Sequence, residues 1–212
     1  MDENITWHRR TMLAKISREL AKNNFTPIVV ENAAEAVNKI FEIIKPEESV
    51  GIGGSRSIRQ LCVIEALESR GQELIQNKPG QPPEEAFKLR RKALAADVYM
   101  ESPNAVTMDG KLLFVDGVGN RVAGMIFGPK KVVAVAGCNK IVPDEESGWE
   151  RIRQVAAPAN AKRLGLDTPC TAGGSCKNCD TPQRICNASV VLWKRPKYTE
   201  YYVLLVAEEL GY

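Results

Sequence analysis

Histidine is almost missing from this 212-residue chain: His8 is the only one, and it lies among charged residues. A Ser-His-Asp or Cys-His centre built on it is not expected, which sets that class of hydrolase aside. Long apolar runs are missing too. No stretch approaches the ~18 residues that cross a bilayer. Met1 to Arg10 carries Asp2, Glu3, His8, Arg9 and Arg10 with no apolar segment behind them, so no secretory signal is expected. Charge of one sign is also short. The net charge is only +3, and Lys and Arg are spread along the chain, whereas a nucleic-acid module gathers them on one face. Neither nucleic acid nor a membrane is expected as a partner, while an acidic metabolite fits the mildly basic balance. Repeats, low-complexity stretches and long linkers are absent, so residues 1–212 read as one well-buried domain. The expected location is cytoplasmic, where cysteines serve as ligands, nucleophiles or core residues more often than as disulfides.

What is present is an alternation of helical and extended patterns. Leu13, Ile16 and Leu20 recur at helical spacing between Arg9, Arg10, Lys15 and Arg18, which predicts a helix over 6–23. Further helices are predicted over 33–44, 57–70, 84–96 and 120–127. Another covers 144–164, kinked or interrupted at Pro158. Strands are predicted over 25–30, 49–52, 73–76, 97–101 and 131–136, with 189–193 and 201–206 finishing the sheet. The last of these is a candidate edge strand. A loop is expected over 77–83. Met108-Asp109-Gly110 between two β-prone runs, 104–107 and 111–115, reads as a hairpin. The fold class is therefore α/β: a mainly parallel sheet with helices on both faces and a β-hairpin insertion.

Two glycine-rich turns stand where a strand gives way to a helix. The first runs Gly51-Ile52-Gly53-Gly54-Ser55-Arg56-Ser57. Free N–H groups and the positive end of the helix dipole make such a place suited to anions. The glycines let backbone approach a ligand, and Ser55, Ser57 and Arg56 add hydroxyls and charge. It is neither a Gly-x-Gly-x-x-Gly fingerprint nor a Walker loop. The plainer alternative is a tight connection with Ser57 as N-cap. The second turn, Asp116-Gly117-Val118-Gly119-Asn120-Arg121, carries an acid, an amide and a guanidinium suited to a carboxylate or phosphate. As a bland alternative, Asp116-Gly117 is only a turn and Asn120 only a cap. Two such loops suggest a shared pocket, with Asp116 as its leading polar group.

Four of the six cysteines fall in one window, Cys170-x5-Cys176-x2-Cys179-x6-Cys186. A Cys-x2-Cys pair lets two thiolates reach one metal, and two more complete a four-sulfur shell. Lys177 and Arg184 can offset their charge. Spacing leaves zinc and an iron–sulfur cluster both open, since neither pattern is matched in full. A redox dithiol at Cys176 and Cys179, or four structural thiols, are the alternatives. Cys62 and Cys138 lie in apolar runs and read as core residues.

The stretches 104–123 (NAVTMDGKLLFVDGVGNRVA) and 126–137 (IFGPKKVVAVAG) resemble the lactate-utilisation (LUD) domain family, formerly DUF162. Residues 176–187 (CKNCDTPQRICN) resemble its short cysteine-bearing members, and the likeness covers nearly the whole chain. It implies a fold similar to the ribose-phosphate isomerase, glucosamine-phosphate deaminase and CoA-transferase superfamily. There an early glycine turn holds a phosphate or CoA-type ligand and a later loop completes the pocket, matching 51–57 and 116–121. It also implies a part in oxidising lactate to pyruvate alongside iron–sulfur partner subunits, and it favours iron–sulfur over zinc. The chain departs from the isomerases. Their acidic run before the hairpin is replaced by Pro103-Asn104-Ala105-Val106-Thr107, so sugar-phosphate isomerisation is not expected. The transferases' nucleophilic glutamate has no counterpart, though Glu101 is close. The expectation is a 2-hydroxyacid-utilisation component that binds a small anion and carries a cysteine-bound metal, possessing no assigned catalytic residue. The alternative is a non-catalytic sensing or assembly subunit with structural zinc.

Overall fold

The computed structural model describes residues 2–78 and 80–212; Met1, and Pro79 of the expected 77–83 loop, lie outside the described residues. The chain opens with α1 (Glu3–Lys22), whose N-cap Asp2 accepts from the N–H groups of Asn4 and Ile5. Such a cap is worth ~1 kcal/mol. Leu13, Ile16 and Leu20 are its buried face, as their spacing requires. Then follow β1 (Thr26–Val30), α2 (Ala33–Ile43), β2 (Val50–Ile52), α3 (Arg56–Gln60), α4 (Val63–Ser69), β3 (Leu74–Ile75), α5 (Pro83–Leu94) and β4 (Val98–Glu101). The hairpin strands are β5 (Ala105–Thr107) and β6 (Leu112–Asp116). After α6 (Asn120–Ile126) come β7 (Lys131–Gly137), a 3₁₀ turn (Cys138–Lys140), β8 (Ile141–Val142) and α7 (Glu145–Arg151). A π-helical stretch (Ile152–Ala156) leads into α8 (Ala157–Arg163), then α9 (Pro169–Gly173), β9 (Ala188–Leu192) and β10 (Glu200–Val206).

Six strands form a parallel sheet in the order β1-β10-β7-β4-β2-β3. Alternation along a strand divides its core in two. Val132, Ala134 and Ala136 of β7 face α1, α5 and α6, while Val133 and Val135 face α2, α3 and α4. Both faces are covered, so β7 reads as an unbroken apolar run rather than an alternating one. A second sheet, in the order β8-β5-β6-β9, packs Val106, Leu112, Phe114 and Leu192 into the first of these cores. Its other side, through Ala105, Leu113 and Val142, is covered by the helical segment 145–163.

Several expectations are corrected. β9 does not finish the main sheet. It pairs antiparallel with β6, making the hairpin part of a second sheet. β10 is not an edge strand: it lies between β1 and β7, where its five residues 202–206 and seven residues 200–206 respectively find partners. The predicted helix 57–70 is broken at Cys62, which takes φ 54° between α3 and α4. Cys62 is exposed rather than in the core; Cys138 is buried as expected. Ser55, not Ser57, caps α3, accepting from the Ile58 N–H at 3.4 Å. At Pro158 the helix runs on, because the π-helical stretch just before it absorbs the bonding that a proline interrupts.

No helix among the described residues is long and apolar enough to cross a membrane.

Candidate functional site

In an open parallel sheet, residues just past the strand ends are held by rigid backbone yet face a crevice. β2, β4 and β7 are neighbours here, and their ends deliver Gly53, then Glu101 and Ser102, then Lys140 to one corner. β6 delivers Asp116 from the second sheet. Between them lies a small cavity of ≈ 50 Å³, bordered by Ser57, Glu101, Ser102, Arg121, Lys140 and Cys186 among others. It has room for a few water-sized groups at most. A wider cleft of ≈ 380 Å³ adjoins it, sharing Gly54, Ser55 and Arg121.

The two glycine turns do meet. A Cβ on Gly53 would stand 1.7 Å from Glu101 Oε2 and 3.2 Å from Arg121 Cγ, so any side chain here would push these two side chains aside. Gly54, Ser55 and Arg121 border both spaces, Arg56 and Ser57 the inner one, and Asp116, Gly117 and Asn120 the outer one. Gly51 stands apart: it faces the carbonyl of Ala93, which a Cβ would approach to 2.4 Å, and its role is packing. Gly119 borders neither space; at φ 95° it turns the chain into α6.

Asp116, the leading polar group of the sequence reading, sits on the wall of the outer cleft with its carboxylate bound to the second glycine turn. Its carboxylate accepts from the N–H groups of Gly117 (2.8 Å), Gly119 (2.9 Å) and Arg121 (2.9 Å), and from Arg121 Nε at 3.1 Å. Burial alone would raise its pKa, but the Arg121 charge and these bonds hold it below the ordinary 3.8. Asp116 is the anchor that aims Arg121. A second bond, from Arg121 Nη2 to the Val115 carbonyl (2.6 Å), fixes the guanidinium plane.

Glu101, Ser102 and Lys140 are residues that sequence reasoning left unassigned. Glu101 is buried; its Oε1 accepts from the Ser102 N–H at 3.0 Å and lies 3.7 Å from Arg121 Nη1. Its Oε2 is buried without a partner. Burial raises the Glu101 pKa, against the opposing charge of Arg121. Lys140 is likewise buried, with Nζ donating to Ser102 Oγ (2.8 Å), Ser57 Oγ (2.9 Å) and the Pro103 carbonyl (3.1 Å). Burial, then the charge of Arg151, brings its pKa down to about 7. The available signal was position: a Glu ending one buried parallel strand, and a Lys in the short turn that follows another. Thr107, where the isomerases carry an acid, is an inner hairpin residue whose Oγ1 accepts from the Lys111 N–H at 2.9 Å.

The outer cleft is strongly basic. Arg59, Arg90 and Arg163 border it together with Arg121, and Asp116, already committed to Arg121, is the carboxylate on its wall. Neither Arg59 nor Arg90 has a carboxylate among the described residues.

The cysteine window forms a loop beside the inner cavity. Cys170, Cys176, Cys179 and Cys186 are free thiols of intermediate exposure. Cys176 Sγ accepts from the Asn178 N–H at 3.3 Å, and Cys170 Sγ lies 3.2 Å from Thr168 Oγ1. Burial raises the Cys186 pKa, and the charges of Cys176, Cys170 and Cys179 add to that rise while Arg184 opposes it. All four therefore gather in one neighbourhood. No three His, Cys, Asp or Glu side chains among the described residues reach metal-ligand geometry, however.

Comparison with known proteins agrees with the fold. A crystal structure of a DUF162 family protein from Deinococcus radiodurans is similar over 94% of this chain and 98% of that one, with a TM-score of 0.55 at 14% identity. At that identity the likeness speaks for the fold. A weaker one, to eIF2B beta from Chaetomium thermophilum, has a TM-score of 0.39 at 14% identity and covers 54% of this chain and 44% of that one. No curated protein matches the chain. The LUD domain matches residues 13–206, nearly the full length. The chain belongs to the LUD domain family, which is associated with lactate utilisation.

Proposed function

We propose that this protein is a component of lactate or related 2-hydroxyacid utilisation that binds a small anionic metabolite between its two glycine turns. The observation that carries the reading is Arg121. It stands between the inner cavity and the basic cleft, aimed by Asp116, with Gly53, Gly54 and Ser55 of the first turn beside it. A guanidinium held this way gives a carboxylate or phosphate two parallel N–H donors. Arg59 and Arg90 add positive charge without a carboxylate to neutralise it, which favours accumulation of an anion in the cleft.

The second half of the reading is a metal held by Cys170, Cys176, Cys179 and Cys186. Thiolates suit either zinc or an iron–sulfur cluster, and a cluster would supply one-electron transfer. In its support, three thiols act on the fourth, and Arg184, whose Nε donates to the Cys186 carbonyl at 3.1 Å, braces the loop. Because the sulfurs do not converge, uptake has to draw the loop inward. A cluster here would make exchange with iron–sulfur partner subunits the natural route for electrons.

Thermal unfolding in the presence of lactate, pyruvate or inorganic phosphate tests the anion site. A ligand at 100 times its Kd stabilises by about 2.7 kcal/mol, and Arg121→Ala is expected to erase the shift. A shift unchanged by that substitution, or no shift with any of the three anions, removes the anion reading. Protein purified without oxygen tests the metal by its visible spectrum and its iron, sulfide and zinc content. Stoichiometric zinc in a colourless protein sinks electron transfer and leaves an assembly or sensing subunit.

A further inference from the structure

We propose that Ser102 and Lys140 form a serine–lysine catalytic pair in the inner cavity, and that the protein carries out acyl transfer or hydrolysis on a small activated acyl compound. The starting point is geometry. A nucleophilic hydroxyl and its base are recognised by hydrogen-bond reach, with the base oriented by a third group. Ser102 Oγ and Lys140 Nζ are 2.8 Å apart, and the lysine is oriented by Ser57 Oγ at 2.9 Å and the Pro103 carbonyl at 3.1 Å. All three side chains border the same cavity.

Proton bookkeeping selects Ser102 over Ser57. Ser57 Oγ donates its own proton to the Leu210 carbonyl at 3.1 Å, so towards Lys140 it can only accept. It is also covered by the C-terminal backbone, since a Cβ on Gly211 would lie 2.4 Å from its Oγ. The alternatives for the Ser102 hydroxyl, Ser57 Oγ at 3.2 Å and the Pro103 carbonyl at 3.3 Å, are longer than its contact with Lys140. A neutral Lys140 amine has two N–H donors and one lone pair. The donors match Ser57 Oγ and the Pro103 carbonyl, which leaves the lone pair for the Ser102 O–H. The three neighbours thus satisfy the uncharged amine as fully as the ammonium.

The charges facing Lys140 favour the uncharged form. Arg151 and Arg121 disfavour the ammonium and Glu101 favours it, and burial is the largest influence, bringing the amine to about 7. A base poised there works at neutral pH. Glu101 borders the same cavity, and its Oε2 is packed against Gly53 without a hydrogen-bond partner.

The step balances without a cofactor. Ser102 Oγ bonds to the acyl carbon while its proton passes to Lys140 Nζ, and the carbonyl π pair moves to oxygen. Collapse of this adduct breaks the bond to the leaving group, which departs with the proton from Lys140. Water then repeats the sequence, releasing a carboxylic acid and restoring the serine. The anion reading enters only by placing a charged portion of the substrate in the arginine cleft.

The test uses methanesulfonyl fluoride, a small uncharged electrophile indifferent to the anion site. The full-length protein is expected to acquire one methanesulfonyl group on Ser102, located by peptide mass mapping, with loss of fluoride. The rate should rise as pH climbs through about 7, where the amine gives up its proton. Lys140→Arg keeps charge and donors but cannot act as a base, and is expected to slow labelling by at least about 100-fold. Ser102→Ala should abolish it, and unfolding temperatures for both variants report whether they fold. No adduct on folded wild-type protein overturns the proposal. So does an adduct on Ser57 or on Lys140 itself, or wild-type labelling of a folded Lys140→Arg. Failure here leaves the anion-dependent thermal shift untouched, so the two readings fall separately.

Discussion

The inner cavity and the cysteine loop lie side by side and share Cys186, yet they are built in opposite ways. The cavity is drawn from the ends of three neighbouring parallel strands. Its polar groups are mostly paired: Arg121 with Asp116 behind it, Lys140 with two serines. The loop 168–187 contains one short helix, α9, and its thiols are half-buried and do not converge. Preorganisation needs rigid backbone on several sides at once. A cavity at strand ends has that before any ligand arrives, whereas a cysteine loop acquires it from the metal, which is why metal binding and local folding are coupled in such segments.

The contrast can be broken from the cavity side. Asp116→Asn should give the largest effect. It removes the nearer of the two carboxylates on Arg121, at 3.1 Å, and leaves only Glu101 at 3.7 Å, at a cost of about 3 kcal/mol, measurable by urea unfolding. The sign with pH follows from the lowered carboxyl. A carboxyl depressed in the folded state contributes stability above its unfolded pKa and loses it as pH falls through the folded value. The wild-type protein should therefore lose more stability on acidification below about pH 4 than Asp116→Asn does. Equal acid sensitivity would remove the ion-pair account.

Gly53→Val comes next, at ~1–3 kcal/mol. Its side chain meets Glu101 and the stem of Arg121, so anion-dependent stabilisation should vanish while the protein still folds. A variant that keeps the wild-type thermal shift would mean that the first turn does not border the bound anion.

The smallest effect belongs to the loop. Replacing Cys170, Cys176, Cys179 and Cys186 by Ser one at a time should change metal-free stability by no more than ~0.5 kcal/mol each, since none of them is fully buried. The same substitutions should cut metal content in protein purified without oxygen. Large destabilisation of the metal-free variants would show that the loop is organised by packing, and the comparison would lose its point.

Much of the architecture was legible from local patterns. The α1 stripe of Leu13, Ile16 and Leu20, the Asp109-Gly110 turn and the unbroken apolar run of β7 each state their own structure, because periodicity and turn chemistry are properties of adjacent residues. Both glycine turns were legible as strand-to-helix junctions for the same reason. Partnership was not. β10 looks like a terminal strand in sequence but sits inside the sheet, and β9 joins the hairpin, since strand neighbours are chosen by non-local pairing. Asp116 was legible as a polar loop residue, though not as the anchor of Arg121, which required the loop to curl back on itself.

By itself, then, the sequence determined an α/β chain with a parallel sheet, two glycine turns after strands, a hairpin and a window of four cysteines. Those follow from hydrophobic period, backbone freedom and spacing, all of which act over a few residues. Only the tertiary structure decided that Glu101, Ser102 and Lys140 share a cavity with Ser57, and that the cysteines gather without closing. Burial, pairing and a shifted pKa depend on neighbours that sequence separates by dozens of positions. A lysine among valines becomes a base, a staple or a surface charge according to what the fold places around its nitrogen.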